Sequence, residues 1–260
     1  MRRFALICIL SFFAAWPAQA ETITLVGDEW CPYICSGDTG RPGLLVEIAR
    51  KALEKDGIKV EYKTMPWARA VKDTRAGRYT AVLGALHEPS SDLVFPSMAQ
   101  AQSVVTFYTR KGTAWRFSDL SDLSRVSLGT IADYAYDRTL DDYILRYKND
   151  MTRIQPVAGE KALASNVKKL LIGRINATVE MAAVMEYYLS MTDLRKQVVP
   201  AGRMPQTQDL FIAFSPREKR AWEYAAAVSA ETERLVLSGE MSEIWAHYHL
   251  SSDAAGKDMP

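Results

Sequence analysis

The chain reads as an α/β protein built from two similar halves, and three observations predict this. Apolar stretches that alternate like strands take turns with stretches of helical spacing. The pattern pauses after Gly84 and starts again at Val126. The two sets are joined by extended, β-like segments near 104–110 and 206–213, not by a flexible linker. A β-α-β-α-β order implies right-handed crossovers and a parallel sheet. Two crossing strands between the halves form a hinge, and hinge closure over a ligand is an established motion.

The elements follow in order. Ile23 to Val26 alternates as a strand and ends at Gly27-Asp28. Asp28 to Pro42 is a loop rich in Gly, Pro, Asp and Cys. Leu45, Ile48, Ala49, Ala52 and Leu53 fall at helical spacing, with Gly57 as the stop. Ile58, Val60 and Tyr62 alternate as a second strand. Pro66 opens a helix that runs to about Arg75, and Tyr79 to Gly84 is a third strand. The second set comprises a strand at Val126–Thr130, a helix at about Ala135–Lys148, a strand at Arg153–Val157 and a helix at Glu160–Ile172. A strand at Asn176–Val179 and a helix at Met181–Met191 complete it. Val198-Val199 reads as a short strand and Asp209 to Phe214 as another. Ser215-Pro-Arg-Glu218 has the form of a capping box that opens a long helix to about Leu237. Gly239 breaks it, Met241 to Tyr248 gives a last helical turn or two, and 251–260 is a small, polar tail expected to be disordered.

Composition narrows the function. Of 260 residues, 48% are hydrophobic and 24% charged, as in a globular protein. Met1 to Ala20 has the form of a secretory signal: Arg2 and Arg3, a 13-residue apolar run from Phe4 to Trp16, and Ala18-Gln-Ala20 as a small-x-small cleavage site. Thirteen residues span about 20 Å as a helix, short of a hydrocarbon core of about 30 Å. The expected destination is the periplasm. Removing the signal takes away two arginines and no acid, so the formal charge falls from +1 to −1. No basic stripe suggests a nucleic-acid partner. In an exported chain, Cys31 and Cys35 favour a disulfide that stiffens their loop. A redox pair would favour two intervening residues at a helix start, and a metal site would need more ligands. His87-Glu88 is no zinc motif, because no second histidine follows at helical spacing.

One stretch organises the functional reading. Leu128-Gly-Thr-Ile-Ala-Asp-Tyr-Ala-Tyr136 runs from a strand through a polar loop into a helix. Backbone N–H groups at such a turn lack helical partners and can meet a ligand. Asp133, Tyr134 and Tyr136 sit where that ligand would lie, at the carboxyl end of a strand. Val26-Gly-Asp-Glu-Trp-Cys-Pro-Tyr33 is a second turn of this kind. These turns are expected to belong to two lobes that close on one small molecule.

Several motifs carry a resemblance. They are Pro32-Tyr33, Gly43-Leu-Leu-Val-Glu-Ile-Ala49, Met65-Pro-Trp-Ala-Arg69 with Arg75-Ala-Gly77, and Gly129 to Tyr136. Lys169-Leu-Leu-Ile-Gly-Arg-Ile-Asn-Ala177 and Leu237-Ser-Gly-Glu-Met-Ser-Glu-Ile-Trp245 extend the set. In order and spacing the chain, from about Ile23 to Leu250, resembles the bacterial periplasmic solute-binding proteins of family 3, the polar amino-acid type. Met65 to Gly77 is similar to a subgroup bearing Pro-Trp-x-Arg. The resemblance implies a type II periplasmic-binding-protein-like fold, with one lobe from 21–108 plus 209–250 and the other from 109–208. It implies a monomer without cofactor or metal that delivers a small polar solute to an inner-membrane ABC permease. It suggests Tyr33 and Trp67 as stacking walls, Gly84 and Ala85 as backbone contacts, and Asp133 with Tyr134 as the second lobe's contact.

The departures matter as much. The family's Thr-x-x-Arg, whose arginine clamps a ligand carboxylate, is replaced by Gly84-Ala-Leu-His-Glu-Pro-Ser-Ser-Asp92. A bidentate guanidinium is hard to replace. Arg69 is the candidate substitute, and Glu180, just after a short strand, is the candidate for holding an amine. The family's Asp in Gly-Arg-x-Asp is Asn176. Two alternatives stand beside transport. One is a solute-sensing module for a membrane partner. The other is a dehydratase-type enzyme on the same fold, which needs a cleft carboxylic acid with raised pKa, from among Glu29, Glu88 and Glu180. There is no nucleophile elbow, metal cluster or phosphate loop in the sequence.

Overall fold

The computed structural model describes residues 21–36 and 40–248. The signal segment and the 251–260 tail lie outside the described residues. Strands β1 (Thr22–Gly27), β2 (Lys59–Thr64) and β3 (Ala81–Ala85) alternate with helices α1 (Leu44–Leu53) and α2 (Trp67–Arg75). β1 pairs in parallel with β2 and with β3. β4 (Ala101–Arg110) then leads to the second set: β5 (Leu128–Ile131), α3 (Arg138–Tyr147), β6 (Ile154–Val157), α4 (Ala162–Leu171), β7 (Ala177–Met181) and α5 (Ala182–Thr192). β5 pairs in parallel with β6 and with β7. β8 (Val198–Phe214), α6 (Ala221–Ser238) and α7 (Glu240–His247) complete the order.

The strand order is β2-β1-β3-β8-β4-β7-β5-β6. Each half repeats one plan, with its first strand central and its second at the edge. β8 joins them. Its last residues pair antiparallel with β3, and the rest pair with β4 from Ala101↔Leu210 to Arg110↔Val198. The sequence suggests two short strands here; the chain forms one strand of 17 residues. The polar run Gln206-Thr-Gln-Asp209 conceals it, since this middle stretch of the strand holds no buried residue and need not be apolar. Gln102 donates to Asp209 at 2.7 Å where β4 and β8 cross.

The C-terminal elements return to the first half. Lys55 pairs with Glu231 at 3.0 Å, and Tyr224 donates to Glu21 at 2.6 Å. Tyr248 donates to Glu47 at 2.5 Å and accepts the Gly43 N–H at 2.8 Å. The Ser215–Glu218 capping box does not start α6. It forms a separate turn, with Glu218 N–H on the Ser215 carbonyl at 3.1 Å, and the helix begins at Ala221. In the second half Gly129 is pressed against α4: a Cβ there would stand 2.5 Å from Ile175 Cδ1 and 2.8 Å from Asn166 Oδ1. Asn176 holds Ser127 through two 2.9 Å hydrogen bonds, which anchors the start of β5.

Candidate functional site

A cavity of about 310 Å³ lies where the carboxyl ends of the two parallel sets face each other. Asp28, Trp30, Trp67, Arg75 and Gly84 line it from the first half, and Asp133, Tyr134 and Met181 from the second. A smaller recess of about 110 Å³ shares Asp28, Trp30, Trp67 and Tyr134, and Glu180 lines it. Outside them is a broad trough bordered by Glu88, Asp137, Arg138, Asp141, Asp142 and Asp209.

Trp30 is placed by a tight turn. Its carbonyl accepts the N–H groups of Tyr33 at 2.9 Å and Ile34 at 3.1 Å. The sulfurs of Cys31 and Cys35 are bonded across this turn, with their Cα atoms 4.8 Å apart. The indole lies on Gly84, whose φ of +81° and bare Cα allow the approach; a Cβ there would meet the ring at 3.1 Å. Tyr33, expected as a wall, is buried beneath the turn. Its ring packs 4.9 Å from Trp30, and its hydroxyl donates to the Gln102 carbonyl at 3.2 Å. The wall is therefore Trp30, which the sequence reading passed over. In a four-residue turn, which aromatic faces outward is set by the closure of the turn, and periodicity does not reveal it.

Trp67 does line the cavity, from the first turn of α2, together with Val71 and Arg75. These three are spaced by four residues and share a helix face. Arg69 is two residues from Trp67, about 200° around the helix. Its side chain is exposed and lies 3.4 Å from Asp73, away from the cavity. Helical phase alone would have excluded it. Ala85 is fully buried in β3 and does not line the cavity, while Gly84 does.

In the second half, Asp133 takes a left-handed conformation, with φ of 64°, and presents the loop to the cavity. Tyr134 donates across the cleft to Asp28. Tyr136 is buried, its oxygen accepting the Ile131 N–H at 2.8 Å. Three of the N–H groups at the start of α3 are already used. Asp137 accepts from Thr139 at 2.9 Å and Leu140 at 3.4 Å, and Asp141 accepts from Tyr136 at 3.0 Å. This helix end is capped by its own acids, so it is no anion cradle.

Glu180 is fully buried. Its Oε1 accepts the Met181 N–H at 2.8 Å and the Trp30 indole N–H at 3.3 Å. Its Oε2 has no protein partner. Burial raises its carboxyl to about 7, the backbone and indole donors opposing this, and nearby Asp28 adds to the rise. Burial raises Asp28 to about 7 as well. Each carboxyl is thus joined to the opposite half, Asp28 through Tyr134 and Glu180 through Trp30. Asp28 was missed in the sequence, where it reads only as the polar end of β1. Its signal is its place just past a strand's carboxyl end. Among the described residues, no group of three or more His, Cys, Asp or Glu could hold a metal ion.

No protein-family model matches the chain, and no curated protein matches it. Solved structures do. A histidine kinase sensor domain with similarity to periplasmic binding proteins aligns at TM-score 0.71 and 21% identity, covering 87% of this chain and 95% of that one. A mutant of ArgBP from T. maritima aligns at 0.70 and 14%, covering 88% and 95%. An ancestral amino-acid-binding protein, a precursor of cyclohexadienyl dehydratase, aligns at 0.67 and 16%, covering 87% and 94%. The chain has the type II periplasmic-binding-protein-like α/β fold.

Proposed function

We propose that this protein is a non-catalytic periplasmic solute-binding protein that captures a small polar, amino-acid-like solute by hinge closure. The carrying observation is the shared cavity: Asp28, Trp30 and Trp67 from one half and Asp133, Tyr134 and Glu180 from the other border the same space. The proposed lobes are 21–108 plus 209–250, and 109–208, hinged on β4 and β8. Of the expected contacts, Trp67, Gly84, Asp133, Tyr134 and Glu180 stay in the proposal, and Asp28 and Trp30 join them. The Cys31–Cys35 bond stiffens the Trp30 turn. Residues 1–20 act as the export signal. The mature protein works as a monomer that delivers its solute to an inner-membrane ABC permease. A sensory role is the second reading, favoured by the likeness to a kinase sensor domain.

Thermal shift on the mature protein, stripped of solute by partial unfolding, tests the proposal. A panel of amino acids, amines, organic acids and aromatic metabolites should contain a stabilising compound that is not turned over. Ligand at about 100 times its dissociation constant adds about 2.7 kcal/mol. Turnover of the stabilising compound would contradict a non-catalytic role. Absence of any stabiliser would contradict capture of such solutes.

A further inference from the structure

The inner cavity and its recess carry charge of one sign. Asp28 lines both, and Glu180 lines the recess. Glu180 is fully buried with Oε2 unpartnered, so one carboxylate oxygen remains for a donor that the protein does not supply. Such an atom is costly to bury unless a ligand satisfies it. Among the described residues lining these two spaces, the only basic side chain is Arg75. Arg75 is committed elsewhere, with two 2.8 Å hydrogen bonds to Asp92 and one of 3.3 Å to the Pro89 carbonyl. Arg138 and His87 border only the outer trough, where Glu88, Asp137, Asp141, Asp142 and Asp209 outnumber them. The start of α3, which could have offered N–H groups to an anion, is capped by Asp137 and Asp141.

We infer that the solute is a small organic cation, an ammonium or guanidinium compound with an apolar body and no carboxylate of its own. This rests on the binding-protein reading above and narrows it. The cation's N–H groups donate to Glu180 Oε2 and to Asp28. Its apolar body lies against Trp30 and Trp67, whose ring faces also favour a cation. A zwitterionic amino acid brings the same ammonium, but its carboxylate enters a cleft lined by five acids, Asp28, Glu29, Asp133, Glu160 and Glu180, and, among the described residues, by no cation other than the paired Arg75. A desolvated charge without a partner is strongly disfavoured. The elevated carboxyls fit this picture: at about 7 each, they carry protons below that pH where the ligand's charge will sit.

The test uses matched pairs on the stripped mature protein by titration calorimetry at pH 8: agmatine and arginine, cadaverine and lysine, tyramine and tyrosine. At least one amine should bind, and it should exceed its amino acid by about 100-fold or more, the scale on which sites reject unpaired polar groups. Glu180→Gln should weaken that amine by at least about 30-fold while thermal unfolding shows an intact fold. Asp28→Asn gives a second, independent loss. An amino acid that binds as tightly as its amine overturns the inference. So does an amine whose affinity survives both substitutions. If only a neutral or acidic compound from the wider panel binds, the inference fails and the binding-protein reading stands. If no compound binds, both fail.

Discussion

The half built on β1–β3 and the half built on β5–β7 share a strand plan, yet they furnish the cleft differently. The first supplies flat aromatic walls, Trp30 and Trp67, with Asp28 at the cleft end of β1. The second supplies the most deeply buried acid, Glu180, and a loop that places Tyr134 against Asp28. The first turn is bridged by the Cys31–Cys35 bond, and the second is held by helix caps from Asp137 and Asp141. One plan thus gives two surfaces, because residues just past a strand end are free to vary while the strand core is not.

The comparison can be broken from either side. The largest effect is expected from Glu180→Gln, which neutralises the second half's buried acid and keeps its shape. Amine affinity should fall by at least about 30-fold, read by calorimetry. Trp67→Ala removes a wall from the first half and should cost roughly tenfold, seen as faster dissociation. Tyr134→Phe deletes only the hydroxyl that reaches Asp28. A hydrogen bond of this kind is worth about 0.5–1.5 kcal/mol, so affinity should change a few-fold in either direction. The direction shows whether that contact helps the closed state or competes with the ligand.

The acids also predict a pH dependence. The Glu180 carboxyl sits at about 7 when folded, against an ordinary 4.5, so the folded state holds its proton more tightly than the unfolded chain. Unfolding then releases protons between these values, and this group's contribution to stability is lost as pH rises from about 4 to about 7. Glu180→Gln lacks this loss. Its melting temperature relative to the natural protein should therefore rise across that range and level off above it. Constant spacing between the two curves would show that the buried carboxyl is not raised.

How much of this was legible in the sequence follows from the physics of each element. Strands and helices with a buried face announced themselves by period, as in β1, α1 and β2. β8 did so only at its ends, because its middle, Pro205–Asp209, holds no buried residue and has no reason to be apolar. The Ser215 box was misleading because a capping pattern is also a turn pattern. Within the site, Trp67, Gly84, Asp133, Tyr134 and Glu180 could be placed at strand or helix ends. Tyr33 and Ala85 point into the core, and Arg69 lies off the cavity face of its helix. Trp30 and Asp28 needed the folded turn. Asp28 and Glu180, separated by 152 positions in the chain, come into electrostatic contact only when the halves meet.

The most direct test of the central claim is proton exchange on binding. Calorimetry of the best-binding amine at pH 7, in two buffers of different ionisation heat, counts protons gained or lost. A cation entering a cleft whose carboxyls sit at about 7 lowers them and expels protons. Net proton release, reduced in Glu180→Gln, is the predicted result. Net uptake, or the same heat in both buffers, would contradict an acidic cleft that trades protons for a cationic solute.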